Sequence, residues 1–409
     1  MLQPKNYILY FKSSSNKYRI LDSDTNEIKD IFNCDLKNYK PRYQLTYKYK
    51  NNDDGLNKYH NDFKKWSDEL LKENINITHY NSFYFARLQT YSRYSDRQFS
   101  RDNFICHDKI NRFEAVYIEA CSNGGLIYGK EYEGKSYGYD FNFYYVMCMM
   151  SKYLIIPTKK GRLMKIDNLN NISIGYYRVI ITSTNDDFNK VFAYSKKSTY
   201  THDQLLFAIE LKDKFDVNIR LITDCKYNAY IYNEKHTTTG QKLFGTWGKI
   251  LIDLKDKYPE NKLIKMIGSM TWGCLIEYNT IKRSEDDLKD IDFNEWEIND
   301  WDDEYNKYTL INRIYPYKRN IRLKAFLSSF CRIQTARIAL RDIKHVIRIH
   351  TDNITFNRRR HKKLEDVPRL EPEEKTSGYI RWINANTRHK RINDKWFKMK
   401  KDELIQIDQ

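Results

Sequence analysis

Apolar and polar positions divide the chain into stretches of different rhythm. Residues 1 to about 105 are polar, with strand-like pieces such as Tyr7-Ile8-Leu9-Tyr10-Phe11 and a helix-like piece from Asp62 to Leu71. From 114 to 160, alternating apolar runs surround a double glycine and lead into a dense aromatic run. From 160 to 235 the pattern is strand-rich, with Tyr177-Arg178-Val179-Ile180-Ile181 and Ile219-Arg220-Leu221-Ile222 on either side of a helix from about Thr201 to Phe215. Residues 240 to 280 predict two helices separated by Tyr258-Pro259-Glu260-Asn261. The acidic stretch 284 to 304 reads as a solvated surface insert. Phe326, Phe330, Ile333, Ala336, Leu340 and Ile343 recur at three- and four-residue steps, which predicts a helix over Arg322 to Lys344 with one apolar face. Turn-favouring Asp352-Asn353 between His345–Ile349 and Ile354–Phe356 predicts a β-hairpin. The chain from 357 onward is very basic, and no internal repeat or low-complexity linker interrupts it. Strands and helices that cluster without alternating point to an α+β fold. At about 150 residues per domain, two or three lobes are expected.

Charge narrows the partners. The 409 residues carry 71 Lys plus Arg against 54 Asp plus Glu, a formal net charge of +17. Such a surplus favours a polyanion, because each neutralised phosphate releases counterions. Anionic membranes and acidic proteins attract basic chains as well. The hydrophobic fraction of 41% supports a real core and argues against wholesale disorder. The 34 Tyr count for little as stacking residues, because Tyr, Asn, Ile and Lys all use AT-rich codons and are all abundant. The seven Cys form no CxxC pair, which argues against a zinc ribbon or a disulfide framework and fits a reducing, intracellular compartment. The first residues lack the apolar core of a signal peptide, and no run of 18 apolar residues exists, so no membrane partner is expected.

Three polar residues stand at chemically suggestive places. Asp140 follows an apolar-alternating approach in Tyr137-Gly138-Tyr139-Asp140-Phe141-Asn142-Phe143-Tyr144-Tyr145. Asp352 stands at the tip of the hairpin, where a carboxylate is exposed at one edge of a sheet. Lys265 belongs to the helical segment Lys265-Met266-Ile267-Gly268-Ser269-Met270-Thr271-Trp272-Gly273. Chemistry on phosphates by two Mg²⁺ ions uses such a set. The ions take oxygen ligands from a few carboxylates and the substrate, and a cation meets the departing phosphates.

In this order, the segments resemble the three polymerase motifs of family B DNA polymerases, of the protein-primed kind found in viruses, linear plasmids and organelles. The first resembles DxxSLYP, with Asp140 at the metal position and Tyr145 at the sugar-screening tyrosine. The second resembles KxxxNSxYG, with Lys265 as the triphosphate lysine, Trp272 in place of the tyrosine and Gly273 kept. The third resembles YxDTDS, with Asp352 on the second aspartate. Gly124-Gly125 resembles the YxGG motif of protein-primed members. Thr201-His202-Asp203-Gln204 and the helix with Arg332 and Arg337 resemble family helices. Lys375-Thr376-Ser377-Gly378-Tyr379 resembles the lysine-bearing segment that contacts the primer duplex.

The resemblance runs from about 112 to 390. It implies a palm built on an antiparallel sheet, helical fingers, a strand-rich insertion and a reduced thumb. The implied division is 1–110 of unclear role, 111–160 palm, 161–239 insertion, 240–283 fingers, 284–357 palm and 358–409 thumb and basic tail. It implies nucleotidyl transfer from dNTPs to primer-template DNA or a terminal protein primer by a monomer using two Mg²⁺ ions, with Mn²⁺ as substitute. Asp140 and Asp352 would hold the metals. Phe141, Tyr145, Lys265, Ser269, Trp272 and Gly273 would seat the nucleotide. Gly124, Gly125, Arg358, Arg359, Arg360, Lys375, Gly378 and Tyr379 would hold DNA. Too little chain precedes the first motif for a 3′→5′ exonuclease, so no proofreading is expected. Phe143, Val146, Ser269-Met270, His350 and Asn353 depart from the family patterns. These departures keep a second reading open, a catalytically inactive polymerase-like module that binds DNA or a terminal protein. A metal-dependent nuclease would need three or more clustered acids, which only the surface-like 284–304 stretch offers.

Overall fold

The computed structural model describes residues 7–14, 17–32, 42–44, 51–79, 110–274, 277–302, 307–319, 321–359, 364, 366–392, 395–400 and 403–406. The chain divides into two compact units, one of residues 1–104 with 244–318 and one of residues 105–243 with 319–409.

The second unit carries both suggestive aspartates. Its elements are helix α1 (Arg112–Cys121), strands β1 (Ile127–Gly129) and β2 (Tyr132–Phe141), helices α2 (Tyr144–Met149), α3 (His202–Glu210) and α4 (Ile321–Ala339), then strands β3 (Val346–His350), β4 (Asn353–Phe356), β5 (Leu370–Trp382), β6 (Arg388–Ile392), β7 (Lys395–Lys400) and β8 (Glu403–Gln406). Among the described residues these strands form one antiparallel sheet in the order β8-β7-β6-β5-β2-β4-β3-β1. The β3–β4 hairpin is therefore inserted between the two earliest strands, which brings residues distant in sequence onto neighbouring positions.

Helix α4 is buried over most of its circumference and not along a single stripe. Ile321, Leu323, Ala325, Phe326, Leu327, Phe330, Ile333 and Ala336 are buried, and so are Arg322, Ser329, Arg332 and Thr335. The sequence shows one apolar face because the other buried positions are polar, and each finds a partner inside. Arg322 pairs with Glu114 of α1, the two being 2% and 0% exposed. Glu114 also accepts from the hydroxyls of Tyr232 at 2.8 Å and Tyr230 at 3.2 Å. This pair ties α1 and α4 to the strand-rich segment, where Gly175–Ser183 pairs with Thr199–Thr201, Val217–Leu221 and Ala229–Ile231. Tyr117, Tyr176, Tyr230, Tyr232 and Phe326 pack around it, mostly in tilted and edge-to-face pairs. A buried charge must be paired and hydrogen-bonded to be tolerated, and this one is.

In the first unit, strands Ile8–Ser14, Lys17–Asp22, Ile28–Phe32 and Arg42–Gln44 form a sheet in which Ile8–Ser14 is central, antiparallel to Lys17–Asp22 and parallel to Arg42–Gln44. Helix Asp53–Lys72 begins earlier than the apolar pattern predicts, because Asn52 caps it by accepting from the Gly55 amide at 2.8 Å. It buries Leu56, Tyr59, Phe63, Trp66 and Leu70. Helices Gly240–Lys257 and Lys262–Cys274 are separated where the sequence predicts. Asn261 caps the latter and donates to the Trp66 carbonyl at 2.9 Å. The acidic stretch contributes the largely exposed strand Trp296–Asp302 to a three-stranded sheet. No described helix is long and apolar enough to cross a membrane.

Candidate active site

Asp140 is the penultimate residue of β2, flanked across the sheet by Asn353 of β4 and Glu371 of β5. Asp352 occupies the turn between β3 and β4, and its carbonyl accepts from the Phe141 amide at 3.1 Å. Asp140 is thus opposite Asn353, and Asp352, in the turn beside Phe141, is one residue out of register with it; both aspartates are partly exposed.

The turn is held from several sides. Thr351 has a φ of 61°, an unusual conformation for a β-branched residue. Its amide donates to the Leu126 carbonyl at 2.8 Å, and its carbonyl accepts from Thr335 Oγ1 of α4 at 2.9 Å. Thr335 in turn bonds the buried Tyr144 hydroxyl at 2.7 Å. The double glycine abuts the same turn. A Cβ on Gly125 would lie 2.6 Å from Thr351 Oγ1, whereas one on Gly124 would meet nothing within 4 Å. Arg332 fixes this loop, donating to the carbonyls of Asn123 at 2.9 Å and Gly124 at 3.0 Å and to Gln204 Oε1 at 2.9 Å.

Asn353 is the hub of a polar network on the sheet face that bears Asp140. Its Oδ1 accepts from Arg348 Nη1 at 2.6 Å, and its Nδ2 donates to Glu373 Oε2 at 2.8 Å. Thr376 Oγ1 donates to the same Glu373 oxygen at 2.7 Å. Arg348 also donates to the Ala385 carbonyl at 2.7 Å and lies over the Trp382 ring at 4.7 Å. Burial, with Arg388 nearby, lowers the Arg348 guanidinium to about 10, and Glu373 and Asp140 act the other way. It remains a cation at neutral pH beside the carboxylates. Tyr145 is half-buried, and its phenol is raised by burial first and then by neighbouring Cys331 and Asp352.

Gly138 opens the space for β5 to cross. A Cβ there would lie 1.7 Å from Thr376 Oγ1. The irregularity in β5 between Glu373 and Gly378, with Gly378 at φ 117°, lies beside it.

Asp140, Phe141, Tyr145, Gly124, Gly125 and Asp352 therefore come together in one unit. Lys265, Ser269 and Gly273 belong to the other unit, on the helix Lys262–Cys274. Lys265 is exposed, and Ser269 Oγ donates to the Lys265 carbonyl at 2.7 Å. The Trp272 side chain and Arg360 lie outside the described residues. Arg359 is exposed, while Arg358 is bonded to the buried Asp342 at 2.5 and 3.0 Å. Lys375 is exposed on β5, and Tyr379 lies on the face of β5 opposite Glu371 and Asp140, since it pairs with Lys135. Glu371, Glu373, Arg348 and Thr376 escape the sequence reading. Only the crossing of β5 against β2 brings Glu371 and Glu373 to Asp140.

Among the described residues, no trio of His, Cys, Asp or Glu is arranged to hold a metal unaided. Mg²⁺ usually keeps waters and takes one or two carboxylates together with substrate phosphates. Asp140 and Asp352, one residue out of register at the same end of the sheet, supply carboxylates of the kind such binding uses.

No protein-family model matches the chain, and no curated protein sequence matches it. Solved structures do. The chain is similar to Phi29 DNA polymerase complexed with primer-template DNA (TM-score 0.59, 10% identity, 99% of this chain and 91% of that chain). It is similar to the same enzyme complexed with single-stranded DNA (0.54, 12%, 87% and 62%) and with primer-template DNA and incoming nucleotides (0.53, 12%, 82% and 58%). In the last two comparisons the chain spans less than two thirds of the neighbour's length. At such identity the similarity establishes a polymerase-like fold.

Proposed function

We propose that this chain is a template-directed DNA polymerase that transfers a nucleotide from a dNTP to a DNA 3′-hydroxyl or a protein primer. The observation that carries this reading is the register of β2 against β4, which pairs Asn353 with Asp140 and bonds the Phe141 amide to the Asp352 carbonyl. Asp140 and Asp352 would hold Mg²⁺ or Mn²⁺ jointly with the triphosphate, with the Phe141 carbonyl contributing. When bound, such ions align and polarise the attacking hydroxyl and the phosphates.

The chain's own residues have separate tasks. Asn353 and Arg348 hold β3 and β4 in register and offset part of the negative charge at Asp140. Tyr145, half-buried beside Asp352, would fill the space of a ribose 2′-hydroxyl. Gly124 and Gly125 would present backbone to the template, and exposed Lys375 and Arg359 would meet phosphates, which positions DNA without reading sequence. The roles of Lys265, Ser269, Trp272 and Gly273 at the nucleotide follow from the motif resemblance alone. DNA as a partner is supported by the DNA bound in the similar Phi29 DNA polymerase structures together with the chain's +17 charge.

A second reading, a catalytically inactive module that binds DNA or a terminal protein, draws on His350, which stands where the motif has its first aspartate. The two readings separate in primer extension by the purified chain with Mg²⁺ and dNTPs. The polymerase reading expects extension by the wild type and its loss in Asp352→Ala. DNA binding without any nucleotide added by the wild type would refute it.

A further inference from the structure

The sheet face turned away from Asp140 has its own chemistry. Pairing places Tyr379 and Arg381 of β5, His389 and Arg391 of β6, and Trp396 and Lys398 of β7 on this face, with Glu133 and Lys135 of β2. Side chains alternate between faces along a strand, so none of these shares the face of Asp140. The residues form a ladder of cations on rings. Arg381 lies 4.7 Å from the Trp396 ring centroid, Arg391 lies 5.7 Å from that of Tyr379, and the Tyr379 and Trp396 rings are 6.0 Å apart. Trp396 is 5% exposed and anchors the ladder, whereas Tyr379 is 42% exposed. Glu133 pairs with Arg381 at 2.5 Å, and Lys135, Arg391 and Lys398 are exposed around them. Burial, followed by the charges of Arg381 and Lys398, lowers His389, which stays neutral at pH 7.

We propose that this face binds an unpaired nucleic-acid strand, with a base stacked on Tyr379 and the backbone tracked by Arg391, Lys398 and Lys135. An exposed ring held by a cation suits an unpaired base, because every base offers a π-face and duplex bases are already stacked. The flanking positive charges suit phosphates spaced along an extended strand. An acidic peptide would satisfy the charges but would leave the ring without a matching flat surface. The proposal goes beyond the polymerase reading, since it uses neither aspartate and lies on the other face of the sheet.

The test is fluorescence anisotropy with labelled oligo-dT and a blunt DNA duplex, read at two salt concentrations. Wild type binds oligo-dT. Tyr379→Ala weakens oligo-dT binding about tenfold, in keeping with the loss of one stacked base, and weakens duplex binding several-fold less, while Tyr379→Phe retains wild-type affinity. Arg391→Ala weakens oligo-dT binding and lowers the dependence on salt by about 0.7 in log–log slope. Equal oligo-dT affinity of wild type and Tyr379→Ala would overturn the proposal. So would an equal loss for duplex and single strand, or displacement of oligo-dT by poly-glutamate at equal charge concentration. Asp352→Ala is expected to keep oligo-dT binding, so failure of this proposal is distinguishable from failure of the polymerase reading.

Discussion

Replacing Asn353 by Ala tests whether the hairpin is held by the network around it. The substitution removes the acceptor of Arg348 Nη1 and a donor to Glu373, in a residue that is 5% exposed. Hydrogen bonds to charged groups contribute about 1.5–3 kcal/mol each, and a charged group left buried without its partner costs at least as much. Arg348 keeps the Ala385 carbonyl and the Trp382 ring, and Glu373 keeps Thr376, so the two losses do not add in full. A net loss of about 3 kcal/mol is expected, which for a unit of this size lowers Tm by roughly 6–12 °C. Urea and thermal denaturation of the wild type, Asn353→Ala, Glu373→Gln and the double variant measure it. The double-variant cycle is expected to return a coupling of about 0.5–3 kcal/mol. Asn353→Asp restores a partner to Arg348 but sets a like charge beside Asp140 and Glu373, so it recovers only part of the loss. Stability of Asn353→Ala within 0.5 kcal/mol of the wild type, or a coupling of zero, would refute the reasoning.

Other substitutions probe neighbouring supports. Gly138→Ala drives a Cβ into Thr376 and is expected to cost at least about 1–3 kcal/mol by urea denaturation, with Thr376→Gly restoring part of it. Gly125→Ala crowds Thr351 and should reduce primer extension more than it reduces Tm. Glu114→Ala leaves Arg322 buried without its carboxylate and is expected to cost about 3–5 kcal/mol, whereas Glu114→Leu with Arg322→Met is far milder by the same assay. In the first unit, burial and then Lys64 lower the pKa of His60 from its ordinary 6.5. The unfolded chain then binds the proton more readily, so stability falls as pH drops through about 6.5 toward the folded value. Denaturation across pH 5 to 8 should show that slope, and His60→Gln should flatten it.

The legible parts of the fold are those fixed by local chemistry. Asp352-Asn353 between two β-rich runs is enough to foresee the hairpin, and Pro259 with Asn261 is enough to separate the two helices that follow 240. The double glycine is legible as a motif, but its reason is tertiary, since only Gly125 lies against Thr351. The burial of α4 is half visible, because Arg322, Arg332 and Thr335 look solvent-facing until Glu114, the Asn123–Gly124 carbonyls and the hairpin turn supply their partners. Glu371 and Glu373 are illegible as site residues. They stand in a segment with Pro372 and a register shift, and nothing local says that this segment crosses β2 at Asp140. Asn353 reads as a departure from a motif serine and proves to be the centre of the polar network. Arg358 reads as one of a basic run and is bonded to Asp342.

The central claim is that Asp140 and Asp352 act as one metal-holding unit. Single-turnover incorporation of one nucleotide by the wild type, Asp140→Asn, Asp352→Asn and the double variant tests it most directly. Groups that act as a unit are non-additive, so each single variant should lose nearly as much rate as the double variant. Losses that multiply independently, or a double variant that still incorporates at the wild-type rate, would contradict the account.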